Sequence, residues 1–248
     1  MQLFKDGSLR LTKVGPLGPF ANNAYVIADS ETGEAIVVDM PTESARTLEA
    51  ARGLRVTAIL LTHTHPDHWG EYDLVKEATG APVLCHPDER LMPAEKIDRP
   101  LADGDSLTVG GVTITVIHTP GHTPGSCCFL VGRHLISGDT LFPGGPGRSN
   151  SARELQQTIA SINERLYTLP DATIVLPGHG DNTAIGRSRR EYAAFASRPH
   201  PPDLHGDVLW ETSQGPSPQQ PSPLSREGER PGARVARRVD AACDARLH

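Results

Sequence analysis

The sequence predicts an α/β fold made of two related halves, in which two β-sheets pack face to face and helices lie outside them. Two observations favour this arrangement. Short apolar, β-branched runs bounded by Gly, Pro and Asp follow one another in consecutive groups through the first half of the chain. Helical patterns are interposed twice, in comparable places. A strictly alternating parallel sheet fits less well, because it would place a helix after each strand.

The predicted strands are runs of four to seven residues rich in Val, Ile and Leu. In chain order they cover residues 9–14, 24–28, 35–39, 56–62, 82–85, 112–117, 127–131 and 172–176. The predicted helices are recognised by apolar residues spaced three and four apart and by start signals. They cover residues 42–51, 69–78, 151–166 and 189–196.

The helix with the strongest sequence signal is 151–166. Ser151 is predicted to cap its N-terminus, and Glu154 stands at the third helical position, as in a capping box. Its apolar residues fall on one stripe, which predicts burial of that face. They are Leu155, Ile159, Ile162 and Leu166.

The composition divides the chain into a domain at 1–211 and an extension at 212–248. Residues 214–230 are rich in Ser, Pro, Gln, Gly, Glu and Arg, with a single aliphatic side chain, Leu224. Such a segment buries too little apolar surface to offset the entropy lost on ordering. The sequence therefore predicts a disordered C-terminal extension.

Charge and cysteine content restrict the partners and the compartment. A net charge of −6 gives no electrostatic reason to expect nucleic acid or an anionic membrane as a partner. The chain begins without the apolar segment of a signal peptide, and no run is long enough to cross a bilayer. The four cysteines form no Cys-x-x-Cys pair, so we expect buried, reduced side chains and a cytoplasmic location. They are Cys85, Cys127, Cys128 and Cys243.

The most informative motif follows the predicted strand at 56–62. There the chain reads His63-Thr64-His65-Pro66-Asp67-His68, with three imidazoles and a carboxylate within six positions. A buried strand that ends in such a cluster is typical of metal ligands delivered from the end of the strand.

Three further candidate ligands each follow a strand-like run and stand next to glycine. His122 lies in 119–126, Asp139 in 136–142 and His179 in 175–180. Glycine lets the backbone turn sharply and come close to an ion.

Taken together, these motifs resemble those of metallo-β-lactamase-fold hydrolases, in the same order along the chain and over residues 9–198. The pattern is most similar to compact glyoxalase II-like thioester hydrolases. The resemblance implies a four-layer αββα sandwich with a dinuclear metal site along one edge. It also implies that His63, His65 and His122 hold the first metal, that Asp67, His68 and His179 hold the second, and that Asp139 bridges the two.

The same resemblance implies two divalent ions per chain, with Zn²⁺ expected and Fe or Mn as alternatives. A metal-held hydroxide would attack the carbonyl of a small acyl-thiol, with Asp67, His68 and Asp139 assigned catalytic roles through the metals. Two alternatives stay open. One is a lactonase or another ester hydrolase on the same scaffold. The other is a mononuclear iron persulfide dioxygenase, because such relatives keep the second-site residues yet bind one iron. The acyl group, the thiol carrier and the oligomeric state stay undetermined.

Other candidates have two interpretations each. Arg148 lies in the loop that runs along the pocket in glyoxalase II-like relatives, so it would contact the substrate or form a structural salt bridge. His86 and His118 end strands and are expected to be core or supporting groups rather than metal ligands.

Overall fold

The computed structural model describes residues 1–210, and within that range its first sheet has seven strands in sequence order. Strands β1 to β4 are antiparallel, whereas β4 to β7 run parallel to one another. The strands are β1 (Gln2–Asp6), β2 (Leu9–Leu17), β3 (Asn22–Asp29), β4 (Glu34–Val38), β5 (Arg55–Leu60), β6 (Val83–Cys85) and β7 (Arg99–Pro100).

The second sheet has the order β15-β14-β11-β10-β9-β8, and only its β11–β14 pair is parallel within the described residues. A separate short hairpin, β12–β13, follows β11. The strands are β8 (Ser106–Val109), β9 (Val112–His118), β10 (Cys127–Val131), β11 (His134–Gly138), β12 (Leu141–Phe142), β13 (Gly145–Pro146), β14 (Ile174–Pro177) and β15 (Thr183–Ala184). All predicted strands are present. The strands that were not predicted are mostly short or exposed edge segments: β1, β7, β8, β12, β13 and β15. Strand β11 was anticipated only as the strand-like run before Asp139, and it is a buried strand inside the second sheet.

The helices lie close to their predicted positions: α1 (Ala45–Ala50), α2 (Tyr72–Thr79), α3 (Ala152–Ser161) and α4 (Ile185–Ala196). Helix α1 begins later than predicted because Glu43 has a φ of 69°, which no α-helical residue adopts. The Ser151 side chain caps α3 by accepting from the Glu154 N–H, as predicted. The reciprocal bond differs from a capping box, since Glu154 accepts from the Asn150 N–H. The predicted single helix continues past α3 as a π-helical segment, Ile162–Leu166.

The main core lies between the two sheets, as the predicted face-to-face packing requires. It joins Leu11 and Ile27 of the first sheet to Ile114 and Phe129 of the second, all without exposed surface. The outer face of the second sheet packs on α3 and α4 through Leu155, Ile162 and Phe195 among others.

The cysteines in β10 behave as predicted. Cys127 points into the inter-sheet core, and Cys128 points to the opposite face beneath α3. Both are buried and free, as is Cys85. The predicted extension at 212–248, with Cys243, lies outside the described residues. Among residues 1–210, no helix has the length and apolar character required to span a membrane.

Candidate metal centre

The seven side chains predicted as metal ligands lie together at one edge of the sheets. Four of them follow β5, and one each follows β9, β11 and β14. The fold thus brings together residues that are more than 100 positions apart, such as His68 and His179. The seven are His63, His65, Asp67, His68, His122, Asp139 and His179.

Three imidazoles, His63, His65 and His122, converge at one end of this site and are called here the first triad. The Nδ1 atom of His65 lies 3.0 Å from Nε2 of His63 and 2.9 Å from Nε2 of His122. Zn²⁺ binds imidazole nitrogen at about 2.0–2.1 Å, so atoms this close together are within reach of one ion. Three protein ligands leave the fourth position of a tetrahedral ion open, as catalytic zinc requires.

Asp67, His68 and His179 form the second triad. The Nε2 atoms of His68 and His179 are 3.2 Å apart. Oδ2 of Asp67 lies 3.4 Å from Nε2 of His179 and 3.6 Å from Nε2 of His68. This group differs from the first triad in that one ligand is a carboxylate.

Asp139 lies between the two triads and reaches both. Its Oδ2 is 3.7 Å from Nε2 of His122 and 3.4 Å from Nε2 of His179, and its Oδ1 is 3.5 Å from Nε2 of His68. Oδ1 is buried and has no hydrogen-bond partner among the described residues. A buried carboxylate oxygen without a donor is costly, and a metal ion would satisfy it. The residues present therefore fit a pair of ions that share Asp139.

Two glycines next to the ligands are required by the close approach of the backbone. A Cβ atom at Gly178 would lie 2.3 Å from Oδ1 of Asp139 and 2.7 Å from Cε1 of His68. Gly138 has a φ of 48°, and a Cβ atom there would lie 2.6 Å from Cβ of Thr62. Only glycine allows the strand ends to approach the site this closely.

Asp39, at the end of β4, connects the two triads from behind. Its Oδ2 lies 2.9 Å from Nδ1 of His68 and accepts a hydrogen bond of 2.9 Å from the hydroxyl of Thr62. The same hydroxyl lies 3.1 Å from Nδ1 of His63. A carboxylate behind a ligand histidine fixes the orientation of the ring and raises its basicity. The sequence did not predict this role, although Asp39 is the last residue of the predicted strand at 35–39.

Backbone carbonyls orient two other imidazoles. Nδ1 of His122 lies 2.9 Å from the carbonyl oxygen of Arg148, and Nδ1 of His179 lies 2.8 Å from that of Phe20. A carbonyl only accepts hydrogen bonds, so each Nδ1 carries the proton. In the neutral ring, the Nε2 lone pair is then free to face the site.

Glu89 joins the two loops that carry the first triad. One carboxylate oxygen accepts from the N–H and the hydroxyl of Thr64, which stands between two histidines of the triad. The other accepts from the hydroxyl of Thr123, directly after the third histidine, and from the N–H of Gly125 at 3.0 Å. Glu89 is 7% exposed. No sequence motif marked this residue.

A different set of side chains holds the loop that carries His179. The buried ammonium of Lys13, on β2, donates to the carbonyl of Gly180 at 2.7 Å. The hydroxyl of Tyr25, on β3, donates to the carbonyl of Pro177 at 2.6 Å. Because both carbonyls flank His179 in the chain, these bonds position the strand end that presents the imidazole.

Two imidazoles of the first triad, those of His63 and His65, favour the neutral form. Burial, and to a smaller extent the neighbouring His122, lower the pKa of His65 to about 4 against the opposing effect of Asp139. Burial and the adjacent His68 likewise hold the pKa of His63 well below its usual value. Neutral imidazole is the form that binds metal.

In the second triad, the carboxylates favour protonated imidazoles while no ion is bound. Burial alone would lower the pKa of His179, but Asp139 and Asp67 outweigh it and raise the pKa to about 10. For His68, Asp139 and Asp39 outweigh burial in the same way and raise its pKa well above the usual value. Burial raises the pKa of Asp67 and Asp139, yet the histidines beside them lower both below the usual range.

Arg148 contributes its backbone to the site rather than an inward-pointing guanidinium. Its carbonyl contacts His122, as described above, whereas its exposed side chain lies 3.5 Å from Oδ2 of Asp207. The structural salt bridge proposed from the sequence is thus present. Contact of Arg148 with a substrate stays a prediction.

His86 and His118 form a separate stacked pair, with ring centroids 3.9 Å apart and planes 11° from parallel. Asp88 lies nearby, so that the three could gather around an ion. Lone pairs in the planes of parallel rings do not converge on one point, and His118 Nε2 is already 2.9 Å from the carbonyl of Pro124. This geometry favours the supporting role predicted for both residues.

The chain is similar in sequence to a known protein family and to several of its relatives. A family model described as the metallo-beta-lactamase superfamily matches residues 17–179. An uncharacterized protein of Aquifex aeolicus is 36% identical over 198 residues, which cover 72% of this chain and 94% of the relative. A hydroxyacylglutathione hydrolase of Polaromonas sp. is 39% identical over 168 residues, and the match covers 64% of this chain and 62% of that relative.

Solved structures similar to this chain include several with comparable coverage. The BLEG-1 B3 metallo-beta-lactamase has a TM-score of 0.66 and 33% identity, covering 73% of this chain and 96% of its own. ETHE1 from Myxococcus xanthus has a TM-score of 0.65 and 28% identity, covering 76% and 86%. TTHA1623 in a di-iron-bound form has a TM-score of 0.61 and 33% identity, covering 72% and 97%.

Proposed function

This chain belongs to the metallo-β-lactamase superfamily, and from that premise we propose that it is a hydrolase with two divalent ions that cleaves the thioester of a small acyl-thiol. One observation carries the dinuclear part of the proposal. The carboxylate of Asp139 lies within 3.7 Å of nitrogens from both triads. A single carboxylate in that position holds two ions about 3.5–4 Å apart, the separation used by two-metal hydrolases.

The first triad would hold one ion and the second triad would hold the other. Asp139 would be a ligand of both ions. When bound, such ions lower the pKa of water from 15.7 to about 7 and polarise a substrate carbonyl. The chain's own contribution is to keep the donor atoms in place. Asp39, Glu89 and Lys13 do so through the hydrogen bonds described above.

Two observations support a thioester as the substrate. The first is the 39% identity to a hydroxyacylglutathione hydrolase. The second is chemical: hydrolysis breaks the C–S bond, and a thiolate leaves readily without a strong general acid, for which the motifs contain no candidate. The chain spans 62% of the length of that relative, so the thiol carrier is part of the proposal and glutathione is one choice among several.

The test is a panel of S-acyl thiols given to the metal-loaded protein, with the released thiol measured by a colorimetric reagent. Acyl-glutathione, acyl-coenzyme A and a simple acyl-cysteamine separate the thiol carriers. A lactone and a β-lactam belong in the same panel, because the alternative ester hydrolase and the solved B3 enzyme share this fold. Faster turnover of a lactone than of every thioester would overturn the proposed substrate class.

A mononuclear iron persulfide dioxygenase is the second candidate. The similar protein TTHA1623 holds iron, but as a pair of ions, so it supports iron as the metal and not a mononuclear site. Metal content per chain separates the two functions. Protein purified without a metal-affinity step or chelator would be analysed by plasma mass spectrometry. About two zinc-type ions per chain support the hydrolase. One iron per chain, followed by oxygen consumption with a persulfide, supports the dioxygenase.

A further inference from the structure

We propose that Glu89 is the buried counter-charge of the first metal ion, so that its negative charge, and not only its hydrogen bonds, sets the affinity of the first triad. The inference rests on the two-ion site of the proposed function. It concerns a residue that is not a metal ligand and that no motif of the sequence identifies.

The position of Glu89 supports this role. Its side chain bonds to both loops of the first triad, through Thr64 on one side and through Thr123 and Gly125 on the other. Space around it is closed, since a Cβ atom at Gly125 would lie 2.8 Å from Cγ of Glu89. A charge held against the chain neighbours of the ligands, away from water, is poorly screened.

No cation of the described residues contacts the carboxylate of Glu89; the adjacent guanidinium, that of Arg90, donates instead to the backbone carbonyl of Glu89 at 3.0 Å. All four of its hydrogen-bond donors are neutral hydroxyl or peptide groups, and no ion pair of Glu89 occurs among residues 1–210. The other well-buried glutamate of the described chain, Glu191, differs. It is 3% exposed and accepts from the guanidinium of Arg187 at 2.7 Å. A buried carboxylate without a cation is unfavourable unless another positive charge is supplied.

The charges of the loaded site supply that partner. Two divalent ions carry four positive charges, of which the ligands Asp67 and Asp139 offset two. Asp39 and Glu89 are the buried carboxylates that contact the ligand loops from outside. With both ionised, the positive charge of the ions is fully offset inside the protein. We therefore expect the charge of Glu89 to be coupled thermodynamically to metal occupancy.

The experiment compares two substitutions that separate charge from shape. E89Q keeps the size of the side chain but removes the charge and one acceptor oxygen, whereas E89D keeps the charge and both acceptor oxygens but shortens the reach. Metal-free full-length protein is titrated with Co²⁺ against a competing chelator, and the visible absorbance of Co²⁺ reports binding at each site. We expect E89Q to weaken the first ion by about 10–100-fold, the range for residues behind the ligands, and E89D to weaken it less. The affinity of the second ion should change less than that of the first in both variants.

E191Q is the matched control, because it removes a buried charge that already has a cation. It should lower the thermal stability of the metal-free protein without changing Co²⁺ affinity. Wild-type Co²⁺ affinity in E89Q would overturn the proposal. Weaker Co²⁺ binding by E89D than by E89Q would also overturn it, since the shape of the side chain would then affect the affinity more than its charge. If E89Q does not fold, a loss of more than about a hundredfold in E89D would still overturn it.

The same titration keeps this inference separate from the proposed substrate. Wild-type protein that binds Co²⁺ with the expected dependence on Glu89, yet cleaves no thioester, overturns the substrate class alone. Wild-type protein that binds no Co²⁺ overturns the two-ion site and the role of Glu89 together.

Discussion

The two triads occupy one edge of one fold, share Asp139, and yet differ in how they hold protons. In the first triad, burial among other imidazoles lowers the pKa of His65 to about 4. In the second triad, the carboxylates raise the pKa of His179 to about 10. At neutral pH, His63 and His65 of the first triad are therefore ready to bind an ion, whereas His68 and His179 of the second must first release protons. The difference comes from ligand type: a carboxylate attracts an ion, and in its absence attracts a proton instead.

The support behind the triads differs as well. A buried acid, Glu89, joins the loops of the first triad, while a buried base, Lys13, holds the loop of His179 in the second. Burial lowers the pKa of Lys13 to about 8, despite the opposing effect of Asp181. We therefore expect the two ions to differ in affinity and in the pH dependence of their binding. The predictions below test that asymmetry.

The largest effect is expected for the residue that the triads share. Asp139→Ala removes the carboxylate that faces Nε2 atoms of both triads, so both ions should be lost or bound much more weakly. Activity should fall by more than about a hundredfold, beyond the range for residues behind the ligands. Metal content by plasma mass spectrometry, measured beside turnover, checks this. Wild-type turnover in this variant would refute the shared-carboxylate arrangement.

The next prediction concerns pH. Between pH 6 and 9, the affinity of the second triad should rise with pH by about tenfold per unit for each proton displaced, because His179 and His68 hold protons in the metal-free protein. His63 and His65 should add little to the pH dependence of the first triad, since the pKa of His65 is about 4 and burial holds that of His63 well below its usual value. Co²⁺ titrations at several pH values give both slopes. Equal slopes of affinity against pH for the two ions would contradict the proposed difference in protonation between the two triads.

A smaller and one-sided effect is expected at Lys13. Lys13→Met removes the bonds from its ammonium to the carbonyl of Gly180 and to Oδ1 of Asn182, while keeping an unbranched side chain that is one atom shorter. The second ion should bind more weakly, by about tenfold, at the low end for supporting residues, and the first ion should be unaffected. Stepwise Co²⁺ titration measures this. A change confined to the first ion would mean that the support has been assigned to the wrong triad.

The smallest effect is expected at His86, which stacks on His118 away from both triads. His86→Ala should leave the number of bound ions per chain unchanged, because the parallel rings do not present converging lone pairs. Plasma mass spectrometry of the variant beside wild type tests this. Loss of an ion would identify the pair as an additional metal site.

Much of this architecture is readable in the sequence, for local reasons. The ligands were found because each follows an apolar run. Such a run, followed by Gly or Pro, marks the end of a strand. Cys127 and Cys128 were assigned to opposite faces because side chains alternate along a strand. The cap at Ser151 depends only on residues within one helical turn. The edge strands were missed, since β7, β12, β13 and β15 each have two residues and carry no pattern.

The sequence by itself determined the candidate ligands, their order along the chain and the packing of two sheets, because these follow from spacing and from which side chains avoid water. Tertiary structure alone decided what stands behind the ligands. Lys13 donates to a carbonyl 167 positions away in the chain. Glu89 accepts from Thr64, 25 positions before it, and from Thr123, 34 positions after it. A lysine or a glutamate has no local signature that names a distant partner. Hydrogen bonds formed across folded loops, together with the burial that strengthens them, assign these residues their roles.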